Sequence, residues 1–343
     1  MQLQLVNQRF SPDVDLHGRR PMDTEEVEFK EVTTVEQEHK VRSFVEANTT
    51  PASLLHLKDE CIIPVFRDNE KTISHYEMID AVEFATRQYF KGLEVSAPVI
   101  RVSHPINGRI PSALHKKVNE LEEWEKTRYY ERMMFIIEIP SITEMVNGNR
   151  VNLTVGGVRA LNHESLFGKK SIEKFKVFIG FKNLVCCNLL VSTDGAALDI
   201  RVASFDDLVR NVLDLITQFK ISQNLDTLRN FGNYKLSEHQ FAQIIGKSRL
   251  HQYLPTEQKK EIPALEFNDT QINTIAKDYY FDKSFCRGQN GDIDLWRLYG
   301  LFTGSNKSSY IDAFLNRSVN AFTFTQELVQ ALDGNNRYNW FLS

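Results

Sequence analysis

The sequence lacks the features that mark disulfide-rich and membrane-spanning proteins. It has four cysteines in 343 residues and no C-x-x-C pair, which excludes a disulfide framework. The adjacent Cys186 and Cys187 are interpreted as small buried hydrophobic residues. No apolar run approaches the roughly 18 residues that a membrane helix requires, and the N-terminus has no basic stretch followed by an apolar one. We therefore expect a cytoplasmic protein without a membrane segment.

Recognisable catalytic and nucleotide-binding motifs are also missing. No G-x-S-x-G elbow is present, and His104, His115 and His163 lack the spacing of paired metal ligands. In residues 300–309 an asparagine stands where a Walker loop needs glycine before the lysine, which favours a helix–turn–helix connection. We predict no cofactor and no metal, and favour a non-enzymatic protein. A hydrolase is a further alternative that requires four polar residues to converge on a pocket: Glu131, His163, Asn183 and Asn188.

What the sequence does have is a series of short apolar and β-branched runs from Tyr129 to Ala203. Such runs, separated by turn residues, are typical of an antiparallel sheet. Asn147-Gly148 between two of them predicts a type I′ hairpin, because both residues readily take positive φ. We expect Pro140 to end the first strand, since proline cannot donate to a central ladder. Strands are predicted at 129–139, 151–155, 175–181, 184–191 and 198–203.

Before and after this segment of the sequence, apolar residues mostly recur at helical spacing. Ser74-His75-Tyr76-Glu77 has the capping-box spacing of a helix start. A strand at 99–102 and a loop at 104–108 are predicted next, followed by a helix from Pro111 through Lys126. Beyond the sheet, helices are predicted at 204–220, 237–253, 269–280, 293–303, 308–317 and 323–333.

These periodicities predict an α+β fold in which a mixed or antiparallel sheet with packed helices is followed by a helical C-terminal region. Three regions are expected. Residues 1–50 form a mobile acidic N-terminal segment with few large apolar side chains. Residues 51–203 form an α+β sheet domain, and residues 204–343 form a helical region packed on that domain.

Charge is distributed unevenly along the chain. The net charge is −4 overall, but −7 over residues 1–99, +5 over 100–185 and −2 over 186–343. Cations interleaved with rings are the residue types that a single-strand groove uses for phosphates and bases. The same residue types also occur on a solvated sheet face and in a core. Eight side chains are predicted to contact phosphates: Arg101, Arg109, Arg132, Arg159, Lys169, Lys170, Lys174 and Lys176.

Several segments carry a family resemblance: RVSHP (101–105), GRIP (108–111), YYERM (129–133), NLTVGGVR (152–159), FIGFKN (178–183), VCCN (185–188), LWRLY (295–299) and NKSSYID (306–312). On these segments the chain resembles an uncharacterised domain-of-unknown-function family of Bacteroidetes over about residues 35–343. That resemblance implies no established activity. Residues 180–188 also resemble phage/plasmid-like domain-of-unknown-function proteins of mobile elements, which implies work near foreign DNA.

We hypothesise a mobile-element protein that acts as a non-enzymatic accessory and binds single-stranded DNA. The alternative is a protein-binding module that counters a host defence enzyme through its acidic N-terminal segment. The first hypothesis requires the predicted cations to form one surface. The sequence does not indicate an oligomeric state.

Overall fold

The computed structural model describes residues 43–63, 72–164 and 173–343, and residues 42–343 form one compact unit. The acidic N-terminal segment therefore lies, up to residue 42, outside the described residues, and its mobility there stays a prediction. Residues 43–50 of the same segment are packed on the rest of the chain: Phe44 and Val45 are buried, and the Glu46 N–H donates to the Lys307 carbonyl at 2.8 Å. Lys169 and Lys170 also lie outside the described residues.

The α+β fold class is confirmed, with the sheet in the first part of the chain and most helices after it. The strands are β1 (Thr50–Ala52), β2 (Val99–Val102), β3 (Pro105–Arg109), β4 (Lys126–Tyr130), β5 (Arg132–Val146), β6 (Asn149–Ala160), β7 (Glu173–Asn183), β8 (Leu189–Leu190), β9 (Ala196–Val202), β10 (Lys235–Leu236) and β11 (Ile293–Asp294). The helices are α1 (Leu54–Asp59), α2 (His75–Tyr89), α3 (Phe205–Gln218), α4 (Ile221–Phe231), α5 (Glu238–Tyr253), α6 (Thr256–Lys259), α7 (Asp269–Phe281), α8 (Leu295–Asn306) and α9 (Ile311–Leu332).

A seven-stranded antiparallel sheet forms the centre of the molecule. Its order is β1-β2-β5-β6-β7-β8, and β9 pairs with β7 beside β8. The predicted hairpin between β5 and β6 is confirmed. Asn147 has φ 46° and Gly148 has φ 81°, and Val146 faces Asn149 across the turn. Both central residues thus have the positive φ that a type I′ turn requires.

Pro140 does not end the first strand, contrary to the prediction. β5 continues to Val146, and its register with β6 shifts between Ile139 and Thr143. The proline lies in this bulge, where the ladder needs no N–H donor. The Pro140 carbonyl instead accepts a hydrogen bond from the Thr143 hydroxyl at 2.8 Å. The bulge therefore explains how a long central strand tolerates proline.

The run at 184–191 is also not the predicted strand. The Asn183 side-chain oxygen accepts the N–H groups of Val185 and Cys186, which makes a tight turn, and Cys187 has φ 60°. Within the run at 184–191, only the two residues of β8 pair with β7. Cys186 and Cys187 consequently lie in a turn and are partly exposed.

Residues 105–130 form a β-arm, called the arm below. The predicted loop at 104–108 is strand β3, which pairs with β4 from Pro105↔Tyr130 to Arg109↔Lys126. The predicted helix at 111–126 is instead three short 3-10 turns, at 111–113, 118–120 and 123–125. Leu114 and Val118, spaced as on an amphipathic helix, are exposed. Without a core to cover this apolar face, the spacing alone does not produce a helix.

Helices cover the two faces of the sheet. On one face lie α2 and α3, against alternate residues such as Phe135 and Val177. The predicted capping box of α2 is confirmed: the Ser74 hydroxyl accepts the Glu77 N–H at 3.1 Å, and the Glu77 carboxylate accepts the Ser74 N–H at 2.7 Å. The other face, called the α9 face below, includes Met134 and packs against the first half of α9.

The two helices predicted at 308–317 and 323–333 are a single helix, α9, of 22 residues. No glycine or proline lies within α9, and the Ser318 hydroxyl donates to the Phe314 carbonyl one turn earlier. The first half of this helix contributes Phe314 to the core on the α9 face, and the second half contributes Phe324 to the larger core. α9 therefore links the sheet with the C-terminal helices, and the predicted division at residue 203 stays a prediction.

Two adjacent glycines lie at the centre of the sheet. A Cβ on Gly156 would be 2.3 Å from the Phe135 carbonyl oxygen, and a Cβ on Gly157 would be 2.6 Å from the Met78 Cε. The two missing side chains leave room for the Phe178 ring on one face and for α2 on the other. Close approach of neighbouring groups thus requires glycine at this point of β6.

Candidate nucleic-acid interface

Four of the predicted phosphate-binding side chains lie on the α9 face. Arg101 pairs with Met134, which pairs with Val158, which in turn pairs with Lys176, and directly paired residues share a face. Arg132 is two residues from Met134, and Lys174 is two residues from Lys176, so both lie on the same side. The strand register therefore brings together cations that are separated along the chain.

A cavity of about 360 Å³ opens at one edge of this face and is called the Arg132 pocket below. It lies where the end of β2, the start of β5 and the start of α9 meet. Its lining is mixed polar and apolar: Ala47, Asn48, Thr49, Ser103, His104, Arg132, Tyr310 and Ile311. A concave site with a few convergent polar groups is where a ligand is most often bound.

Arg132 and Tyr310 form one wall of the pocket. The guanidinium carbon lies 5.6 Å from the centre of the Tyr310 ring, a cation–π distance. Two carboxylates lie near the guanidinium, Glu131 at 3.4 Å and Asp312 at 3.5 Å. Both distances exceed those of a strong charge-assisted hydrogen bond, and the Tyr310 ring is 57% exposed. The Arg132 side chain is 23% exposed and faces both carboxylates, so the Tyr310 ring is the more accessible of the two groups.

Arg101 holds Thr49, one of the residues that line the pocket. Its Nε donates to the Thr49 hydroxyl at 3.0 Å, and one Nη donates to the Thr49 carbonyl at 2.5 Å. Burial lowers the pKa of Arg101, but a guanidinium remains protonated at neutral pH. The negative charge of Glu46 partly offsets this effect of burial.

Lys176 and Lys174 lie further along the same face. The Lys176 ammonium donates to the Asp312 carbonyl at 2.8 Å and to the Asn316 side-chain oxygen at 2.7 Å. Burial lowers the pKa of Lys176. This lysine holds the start of α9 against the sheet. Lys174 and Lys176 are both half-buried.

Arg159 lies on the opposite face and is completely buried. Its guanidinium pairs with Glu164 at 3.2 Å and Glu173 at 2.8 Å, and lies 4.7 Å from the Phe175 ring centre. No solvent-borne phosphate reaches a side chain in this position, so we leave Arg159 out of the interface. Arg109 lies apart in the arm, where its guanidinium donates to the Lys116 carbonyl.

Sequence reasoning did not find Tyr310 and Asp312, and it considered His104 only as a possible metal ligand. Asp312 accepts from the Asn162 amide at 3.3 Å and lies 3.5 Å from His163, in addition to its contact with Arg132. The signal was present in the segments that carry the family resemblance, since 101–105 and 306–312 meet at this pocket. Nothing in the sequence showed that the two segments were neighbours.

The four residues that the hydrolase alternative requires do not converge. Glu131 and His163 lie at one end of the β5–β6 pair, near Ala160. Asn183 pairs with Val151 at the other end of β6, about 30 Å away at 3.3 Å per residue. The described residues also contain no group of three or more histidine, cysteine or carboxylate side chains that could hold a metal ion.

The fold and the pocket define an α+β protein with a cavity of mixed polar and apolar lining that has a cation and a ring in one wall. Among the helices of the described residues, none combines the length and the apolar character needed to cross a membrane. The chain belongs to a family classified as a domain of unknown function and described from a B. theta gene (DUF3871), whose model matches residues 25–342. No curated protein and no solved structure matches the chain. The resemblance to this family is confirmed, and the resemblance to phage/plasmid-like proteins stays a prediction.

Proposed function

We propose that the protein is a non-enzymatic accessory that binds single-stranded DNA at the Arg132 pocket and the adjoining α9 face. The observation that carries this proposal is the pairing of an exposed Tyr310 ring with the Arg132 guanidinium at 5.6 Å. Aromatic rings stack on unpaired bases, and arginines bind the backbone phosphates. A cavity of about 360 Å³ is within the range that small ligands occupy, as one unpaired nucleotide would.

The shape of the surface favours single over double strands. The ring and the guanidinium form the wall of a recess, and an unstacked base can enter a recess whereas a paired base cannot. Lys174 lies on the same face and extends the positive surface beyond the recess. Association with a mobile element and a cytoplasmic location belong to this proposal and rest on the sequence alone.

The test is fluorescence anisotropy with labelled single and double strands over a range of salt concentrations. We expect the single strand to bind more tightly than the double strand. Its affinity should fall as the salt concentration rises, because lysine and arginine side chains that bind phosphates displace counterions from the DNA. Absence of binding at low salt, or binding that salt does not weaken, would contradict the proposal.

Two substitutions localise the site. Tyr310→Ala should weaken binding by the equivalent of about 1 to 3 kcal/mol, whereas Tyr310→Phe should keep most of the affinity because the ring remains. Arg132→Gln should reduce the slope of the salt dependence by about one. Arg210→Gln is the matched control, since Arg210 is exposed on α3, away from the pocket. A control variant that binds as weakly as Arg132→Gln would place the site elsewhere.

A further inference from the structure

Asp312 carries a carboxylate that three neighbouring groups share. Its Oδ2 atom lies 3.3 Å from the Asn162 amide nitrogen, 3.5 Å from the Arg132 Nε and 3.5 Å from the His163 Nε2. The side chain is 18% exposed and belongs to the first turn of α9, where the helix dipole stabilises a negative charge. One oxygen does not bond three donors equally well, so Arg132 and a protonated His163 compete for it.

The strand register holds His163 near Arg132. Arg132 begins β5 and pairs with Ala160, the last residue of β6, and a short 3-10 turn that ends at His163 follows directly. The Leu161 N–H in this turn donates to the Glu131 carbonyl at 2.8 Å, which fixes the turn against the start of β5. The His163 side chain is 48% exposed, so solvent protons reach it.

Arg132 has only distant partners for a largely buried cation. Its Nε–H is buried and makes no hydrogen bond within the described residues, and its contacts with the carboxylates of Glu131 and Asp312 are 3.4 and 3.5 Å long. Buried donors are nearly always satisfied, so an unbonded one marks a place where a further oxygen can bind. Two negative charges beside one guanidinium oppose an anion at this place. Neutralising either carboxylate therefore favours anion binding.

Histidines are the groups of this cluster whose charge varies near neutral pH. Lysine, arginine and carboxylate side chains ordinarily keep their charge between pH 5 and 8, whereas histidine changes it. Glu164, next to His163, pairs with the buried Arg159. The other charged groups that surround Arg132, Asp312 and their neighbours are Glu46, Arg101, Glu131, Lys176, Asp199, Glu266 and Arg317. The variable charges are thus His163 beside Asp312 and His104 in the pocket lining.

We propose that protonation of His163 makes Arg132 available to an anion. The imidazolium pairs with the Asp312 carboxylate, which removes one of the two negative charges that compensate Arg132. Protonation of His104 adds a further positive charge in the lining of the Arg132 pocket. This inference rests on the proposed function and supplies its regulation: the pocket binds the phosphates of single-stranded DNA more tightly as the pH falls below neutral.

The first experiment measures the affinity of the full chain for a labelled thymine oligonucleotide between pH 8 and pH 5.5 at constant salt. Thymine does not change charge over this range, so the protein is the source of any pH dependence. The wild type should bind more tightly at pH 5.5, by about threefold for each histidine, the effect of one unit charge about 6 Å from a phosphate in water. Binding that is equally tight at both ends of the range would overturn the proposal.

Three variants assign the response to residues. His163→Gln should lose its share of the pH dependence, and Asp312→Asn should lose the same share while binding more tightly than the wild type at pH 8. His239→Gln is the matched control, because His239 is an exposed histidine on α5. A full response in His163→Gln, or an equal loss in His239→Gln, would overturn the proposal. Circular dichroism melting curves confirm that each variant is folded.

A readout without DNA separates this inference from the proposed function. The Arg132 Nε–H is buried and can be followed by proton–nitrogen correlation spectroscopy, with its signal assigned by its loss in Arg132→Gln. Its chemical shift should change between pH 8 and pH 5.5 in the wild type, and His163→Gln and Asp312→Asn should lose this change. A change that depends on His163 in a protein that binds no DNA would uphold the exchange of Asp312 and reject the proposed function. A constant chemical shift in a wild type that binds DNA would do the opposite.

Discussion

Arg159 is the residue for which the prediction from the sequence and the observed environment differ most. It lies in a segment rich in cations, yet its guanidinium is buried between Glu164 and Glu173 and donates to the Ile73 carbonyl. Removing one member of a buried ion pair leaves the other charge unpaired in a low-dielectric environment. This arginine therefore has a structural role.

Arg159→Met should lower the free energy of unfolding by about 3 to 5 kcal/mol, since two buried carboxylates lose their partner. Urea denaturation monitored by circular dichroism measures the change. Arg210→Met, which removes an arginine that is 74% exposed, should change the stability by less than about 0.5 kcal/mol. Equal stability of Arg159→Met and the wild type would show that the buried network contributes nothing.

His75 gives the protein a predictable acid sensitivity. Burial lowers the pKa of this imidazole from its ordinary 6.5 to about 3, while its Nε2 contacts the Tyr130 carbonyl at 2.7 Å. The unfolded chain binds a proton near pH 6.5 and the folded chain does not, so stability falls as the pH drops from 6.5 towards 3. Above pH 6.5 the group has no such effect.

His75→Gln should flatten this part of the pH profile, because glutamine does not titrate and its amide can still donate to the Tyr130 carbonyl. Urea midpoints of both proteins measured between pH 7 and pH 4 would show a gap that narrows as the pH falls. Parallel profiles would mean that His75 does not control the acid response.

At the scale of elements, alanine substitutions at two glycines should change the stability in opposite directions. Gly148 has φ 81° in the β5–β6 turn, where an L side chain costs about 1 to 2 kcal/mol. Gly246 lies inside α5 with open space around it, where alanine should stabilise by about 0.5 to 1 kcal/mol. Thermal melting of Gly148→Ala and Gly246→Ala should therefore show shifts in opposite directions. A rise for both would indicate that the hairpin tolerates another turn.

Elements with local signals could be predicted from the sequence. The capping box of α2 and the Asn147-Gly148 turn depend on residues within a few positions of one another. The arm was not predictable, because apolar spacing at 111–126 specifies a helix only where another surface covers the apolar side. The Arg132 pocket was not predictable either, because Arg132 and Tyr310 are in contact in the fold but lie far apart in the sequence.

At the scale of the whole molecule, the sheet and the C-terminal helices share a core. Phe181 of β7 contacts Phe219 at 6.3 Å between ring centres, and the Asn188 amide donates to the Gly300 carbonyl of α8 at 2.9 Å. Buried side chains from both regions belong to one cluster. Contacts of this kind make two regions unfold together.

We therefore expect one unfolding transition. In a Trp124→Phe background, fluorescence reports Trp296 and Trp340 of the C-terminal region, and amide hydrogen exchange of β5 and β6 reports the sheet. Both should give the same urea midpoint. An earlier midpoint for either region would support a division near residue 203.

The two central glycines of β6 have different consequences for how the family's sequences can vary. At Gly156 the obstacle to a larger residue is a main-chain oxygen, at 2.3 Å, which no exchange of neighbouring side chains removes. At Gly157 the two nearest obstacles are side-chain atoms, the Met78 Cε at 2.6 Å and the Phe135 ring at 2.9 Å. Other members should therefore keep glycine at the first position, whereas alanine at the second should coincide with smaller residues in place of Met78 and Phe135.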